Sequence, residues 1–167
     1  VGASVVNALS KELVAIVKRD GAEWEMRFRQ GKATTPLRKL GAARGSGTKV
    51  YFHPDAAIFP KIDFEPDVIK ARLEVASYLH KGVKVVFEDE SSKQKAVFEH
   101  HEGLVDYLKK IVGERAAKAV HEVPFVLNKD EGLRMDIVLQ WTEATDEHIR
   151  CYVNGIQTQT GSVTSAQ

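Results

Sequence analysis

The residue types that carry chemistry are present in this chain, but few stand at spacings that organise them. His100-His101-Glu102 is a run of metal-ligating types. Adjacent histidines on one element point in different directions, so the run reads as a surface junction rather than a metal site. His53-Pro54-Asp55 reads as a strand terminator. Cys151 falls in a strand candidate and reads as a buried, inert thiol. Ser, His and Asp all occur, yet no nucleophile-elbow motif brings them together. Trp24 and Trp141 sit in alternating segments and read as core residues. Residues 1 to 50 hold ten Lys/Arg against four Asp/Glu, a local charge of +6 in a chain whose net charge is +1. That basic stretch fits a face near a phosphate-bearing ligand or DNA. It also fits the solvated face of amphipathic strands, which the interleaved acids favour.

The elements that must position these residues follow from periodicity. Val1 to Leu9 is small and apolar and reads as a short helix entered from a Gly-containing loop. Leu13 to Lys18 and Trp24 to Arg29 read as strands joined by a hairpin turn at Lys18-Arg19-Asp20-Gly21. Trp24, Met26 and Phe28 alternate with Glu25, Arg27 and Arg29, which predicts one buried and one wet face. Gln30-Gly31-Lys32 forms a second turn. Thr34 to Leu40 is a weaker strand, Gly41 to Gly47 a loop, and Thr48 to Phe52 a strand. Pro66 opens the strongest helix signal, with Glu65 and Asp67 complementing its dipole. Its stripe is Ile69, Leu73, Ala76 and His80, and Gly82 closes it. Val83 to Glu88 and Lys95 to Glu99 form a hairpin. Gly103 to Val112 is a second amphipathic helix, with Leu104, Tyr107, Leu108 and Ile111 on one side. Pro124 to Leu127, Leu133 to Trp141 and His148 to Val153 read as three more strands. The tail from Gln157 to Gln167 has no period and reads as loose.

This mixed order predicts an α+β fold in two sheets, one up to about residue 99 and another after the helix at Gly103. At 167 residues the length suits one domain or two small ones. With 43% hydrophobic and 28% charged residues, 12 Gly and 5 Pro, the composition excludes a disordered or low-complexity chain. A single cysteine excludes an internal disulfide framework and a multi-Cys zinc site. Apolar runs are too short for a bilayer-spanning helix, and no signal-peptide pattern is visible. The chain begins Val1-Gly2 rather than with Met, so we read it as a piece of something longer.

Longer motifs are more specific. Val-Gly-Ala-Ser-Val-Val-Asn-Ala-Leu-Ser (Val1 to Ser10) closely resembles the segment after the Gly-Leu-His-Gly of the ATP lid in type IIA DNA topoisomerase B subunits, those of DNA gyrase and topoisomerase IV. Gly47-Thr48-Lys49-Val50-Tyr51-Phe52-His53-Pro54-Asp55 resembles the family's Gly-Thr-x-Val-x-Phe-x-Pro strand. Phe64-Glu65, the helix with Arg72-Leu73, and Leu79-His80-Lys81-Gly82-Val83 follow in family order. So do His101-Glu102-Gly103-Leu104, Leu139-Gln140-Trp141 and Tyr152-Val153-Asn154-Gly155-Ile156. The resemblance spans roughly residues 1 to 160.

The resemblance implies the C-terminal part of a GHKL-type ATPase sandwich over residues 1–99. Residues 100–167 would be the N-terminal part of a transducer domain, a mixed sheet plus helix. It implies an ATP-hydrolysing bacterial type II topoisomerase, an isomerase, that uses Mg2+, acts on DNA and lies in the cytoplasm. The implied partners are a second B subunit on ATP binding and the A subunit, with no membrane. Val1, Gly2 and Ala3 would end the triphosphate cradle and Ser4 would open the helix. Free backbone N–H groups at a helix start suit an anion. Thr48 would hold adenine through its hydroxyl and an ordered water, and Val50 would line the same pocket. The family's general base, Mg2+ ligand and adenine-reading Asp belong to segments before Val1, so the resemblance assigns no catalytic or metal residue here. Thr160-Gly161-Ser162-Val163-Thr164 departs from the family's Gly-Gly-Thr-His segment. A non-catalytic, topoisomerase-derived module that binds protein or DNA is the alternative.

Overall fold

A computed structural model describes residues 2–158. The cradle position expected of Val1, the departure at Thr160 to Thr164 and most of the tail expected to be loose lie outside the described residues. The chain divides into two compact units, residues 1–64 and 65–167.

The first unit opens with α1 (Gly2–Ala8) and continues into β1 (Ser10–Arg19) and β2 (Ala22–Arg29). The expected turn joins these strands: Asp20 and Gly21 take φ of 52° and 73°, the paired left-handed backbone of a tight hairpin. β3 (Lys32–Ala33), β4 (Arg38–Ala42) and β5 (Gly47–Pro54) complete an antiparallel five-stranded sheet in the order β3-β2-β1-β5, with β4 also paired to β2. The strand expected from Thr34 to Leu40 is displaced to Arg38–Ala42, where Trp24 pairs with Lys39 and Glu23 with Gly41. Partner strands supply hydrogen bonds even to Gly41 and Ala42, which local composition assigns to a loop. Leu13, Val14 and Ala22 are buried here.

The expected single sheet up to residue 99 is corrected. The five-stranded sheet ends at Pro54, and β6 (Val85–Asp89) and β7 (Gln94–Phe98) form a separate hairpin in the second unit. That unit opens with α2 (Pro66–Leu79), in which Pro66 occupies the first helical position as expected. Its most buried residues are Ser77 and Tyr78, not the Ile69–Leu73–Ala76 stripe, and His80 is exposed. The difference comes from α3 (Leu104–Glu114): Tyr107 stacks on Tyr78 at 5.0 Å, and an aromatic pair sets which side of α2 is covered. β8 (Phe125–Glu131) and β9 (Leu133–Leu139) form a long hairpin, and β10 (Tyr152–Val153) with β11 (Ile156–Gln157) a short one.

Two expected core residues are corrected. Cys151 is exposed and precedes β10 rather than lying in a strand from His148. Trp141 is 60% exposed. Within the described residues neither finds an apolar layer to face, although both belong to locally strand-like sequence. Trp24 is half-buried, with the Lys39 ammonium 5.9 Å from its ring centre.

Candidate functional site

Strand alternation and register divide the first sheet into two faces. Thr48, Val50 and Phe52 of β5 share one face with Val17, Ala15 and Leu13, their partners on β1, and with Trp24, Met26 and Phe28 of β2. Thr48 and Val50 are exposed on that face. Gly2, Ala3 and Ser4 form the exposed first turn of α1, and a Cβ added to Gly2 meets no atom within 4 Å.

A cavity of about 280 Å³ opens in this unit. Val5 and Val6 wall it from α1, Leu9 from the turn after α1, Phe52 and Pro54 from β5, and Phe59 and Phe64 from the segment after β5. Phe52 meets Phe64 edge to face at 6.0 Å. The cavity thus joins α1 to the face that carries Thr48 and Val50. Phe52 lies four residues along the strand from Thr48 and two from Val50, or roughly 13 and 7 Å.

The walls are tied together at one buried carboxylate, that of Asp55, which local sequence marks only as part of a strand terminator. Asp55 is 6% exposed. One oxygen accepts a 2.5 Å bond from the Gln30 side-chain amide and the other accepts from the Ala57 backbone N–H at 2.9 Å. Its backbone N–H donates to the Leu9 carbonyl at 3.0 Å, and its own carbonyl accepts from Ile58 and Phe59. The Gln30 bond above all, and then the Ala57 N–H, hold the Asp55 carboxyl below its ordinary range. Gln30 also donates its backbone N–H to the Ser10 carbonyl at 2.9 Å. Ser10, 1% exposed, donates its hydroxyl to the Val6 carbonyl at 2.6 Å. The signal for this arrangement is faint in the sequence: an Asp after a strand and a Gln-Gly turn.

The opposite face holds the charged alternation, and Glu25 on it is buried rather than wet. It accepts two bonds from Arg27 at 3.2 Å and one from Arg38 at 2.6 Å. Those guanidinium groups, Arg27 first, hold its carboxyl below the usual range against the opposing effect of burial. Arg27 reaches Glu12 as well, while Lys18 pairs with Glu23 and Arg19 with Asp20. Each of the four acids of the basic stretch therefore has a basic partner within 4 Å.

In the second unit, His100 turns inward instead of lying at the surface with His101 and Glu102. Its ring lies 3.6 Å from the Tyr78 ring centre, and its Nδ1 bonds the fully buried Ser77 hydroxyl at 2.9 Å. Glu102 pairs with Lys109 at 3.0 Å. Among the described residues, no three or more His, Cys, Asp or Glu side chains gather as a metal site. No described helix is long and apolar enough to cross a membrane.

Known proteins resemble this chain in sequence and fold. A family model described as DNA gyrase B matches residues 103–164. The DNA gyrase B subunit of Thermotoga maritima is 36% identical over 96% of this chain, which spans 26% of that protein. The B subunit of DNA topoisomerase 4 from Streptococcus pneumoniae is 34% identical over 96% of the chain and 25% of its own length. The chain thus spans about a quarter of these curated relatives. Among solved structures, the 43K ATPase domain of Thermus thermophilus gyrase B, crystallised with an aminocoumarin, superposes with a TM-score of 0.84 at 34% identity. That match covers 93% of this chain and 43% of the other. Over the stretch it spans, the chain belongs to the family of DNA gyrase and topoisomerase IV B subunits.

Proposed function

We propose that this chain supplies part of the ATP site of a type II DNA topoisomerase B subunit, together with the start of the transducer that couples hydrolysis to strand passage. The observation that carries the reading is the shared face. Thr48 and Val50 share a strand face with Phe52, whose ring walls one cavity with Val5 and Val6 of α1 and with Leu9 just after it.

In this reading Gly2, Ala3 and Ser4, on the exposed first turn of α1, present backbone N–H groups to the triphosphate. The Thr48 hydroxyl holds adenine through a water, and Val50 packs against the base. Residues 1–99 then belong to the ATPase domain and residues 100–167 to the transducer, with α3 and the β8–β9 hairpin in the coupling half. The whole protein hydrolyses ATP with Mg2+, dimerises through its B subunits, joins an A subunit and acts on DNA in the cytoplasm.

The test is a chimera in which residues 1–158 replace the matching stretch of the Thermotoga maritima gyrase B subunit, assembled with its A subunit. ATP-dependent supercoiling is expected to survive within about tenfold of the parent, and to be inhibited by an aminocoumarin. Thr48→Ala is expected to raise KM for ATP about five- to tenfold, the loss of one hydrogen bond. A chimera that melts cooperatively yet neither binds nor hydrolyses ATP overturns the reading. If the 167-residue chain itself then binds duplex DNA with a steep salt dependence, the non-catalytic module is favoured.

A further inference from the structure

Asp55 joins three stretches of chain that are separate in sequence. The first is the junction between α1 and β1, where the Leu9 carbonyl takes the Asp55 N–H and the Ser10 carbonyl takes the Gln30 N–H. The second is the β2–β3 turn, where Gln30 and Gly31 take φ of 48° and 79° and Gln30 offers its amide to the carboxylate. The third is the segment from Ala57 to Phe64, whose first amides all bond back to Asp55. The turn also presses on α1 directly: a Cβ at Gly31 would lie 3.3 Å from the Ala8 Cα. The Asp55 carboxylate thus joins the Gln30 side chain to the start of the 57–64 segment, while the main-chain N–H groups of the same two residues hold the chain just after α1.

We propose that Asp55, acting through Gln30, is a positioning residue that sets the spacing between α1 and the 57–64 segment, and so the pose of the nucleotide-facing side of the first unit. The proposal rests on the nucleotide reading above. The geometry explains the leverage. α1 has seven residues and is roughly 10 Å long. The latch holds the chain at Leu9 and Ser10, just beyond its C-terminal end, so a tilt of about 10° there moves Gly2 by roughly 2 Å, enough to take its amides out of hydrogen-bond reach of an anion. Ser10 stiffens the same joint by closing its hydroxyl onto the Val6 carbonyl.

Hydrogen exchange on the 167-residue chain tests the latch without nucleotide. In Asp55→Ala and in the milder Gln30→Ala, the amides of Leu9, Ile58 and Phe59 are expected to exchange roughly tenfold faster. Asp55→Asn should restore most of the protection, because the Gln30 amide can turn to meet either end of an Asn. The double variant should be no worse than the worse single one, as expected for two ends of one bond. Glu25→Gln, a buried carboxylate on the other face, is the comparison for general loosening. If the Asp55 and Gln30 variants raise exchange only evenly through the unit, as Glu25→Gln does, the proposal is overturned. In the chimera, Asp55→Ala should raise KM for ATP about tenfold with kcat nearly unchanged, and Asp55→Asn should largely return it. An active chimera whose KM ignores Asp55→Ala also overturns the positioning role. An inactive parent chimera instead marks failure of the nucleotide reading.

Discussion

The Glu25 carboxylate is surrounded by its own counter-ions: Arg27 from the same strand and Arg38 from β4. Its charge is therefore the form that the folded state favours. The sign of the pH effect follows. Well above the ordinary carboxylate range Glu25 and Asp55 are ionised in folded and unfolded chains alike, and their full contribution to stability is present. As pH falls, the unfolded chain takes up protons first. The contribution shrinks and is gone once pH drops below the depressed folded values. Urea midpoints followed from neutral to acid pH are expected to fall through that window. Glu25→Gln should flatten part of the fall, since an amide has no proton to gain. An identical acid limb in the variant would contradict the assignment. At the same scale the sequence was only partly informative. Alternation placed Glu25 on the charged face correctly, but its burial depends on Arg38, thirteen residues away, folding over it.

Two turns of similar backbone let the elements be compared. Gly21 and Gly31 both take left-handed φ, at 73° and 79°. An added methyl at Gly21 meets nothing within 4 Å, whereas at Gly31 it meets the backbone of Ala8. Gly21→Ala is expected to cost about 1 kcal/mol, the strain of a side chain in that region. Gly31→Ala should cost measurably more, because α1 must also shift, and urea titration of the two variants gives the comparison. Equal losses would show that the turn does not bear on α1. The hairpin at Asp20-Gly21 was legible because its signal lies within four residues. The displacement of β4 to Arg38–Ala42 was not, because β2 chooses its partner by register and by the hydrogen bonds it has to offer. In the second unit, α2 shows the same limit. Its start at Pro66 is local chemistry, but its buried side is set by Tyr107 and His100.

Across the whole molecule, large apolar side chains remain in contact with water in both units. Val50 and Phe64 are exposed in the first, and Val123, Leu133, Trp141 and Ile156 in the second. Exposed apolar surface on this scale favours association. The 167-residue chain on its own is expected to bind a hydrophobic dye and to show a light-scattering mass that rises with concentration on size exclusion. A mass that stays monomeric over the whole range would contradict this. The basic first third behaves differently from what its count suggests. Its four acids are all paired across strands or turns, which leaves a charge-laced sheet face rather than one uniform basic patch.

The sequence by itself determined the family, the α+β class, the two longer helices, the hairpin turns and the strand from Thr48 to Phe52. These rest on period, on turn chemistry within a few residues and on motifs kept in order along the chain. Tertiary structure alone decided where the first sheet stops, that Cys151 and Trp141 lie exposed, that Glu25 is buried, and that Asp55 ties α1 to the wall of its cavity. Each of those depends on a partner brought near by folding rather than by sequence, and local pattern carries no record of that partner.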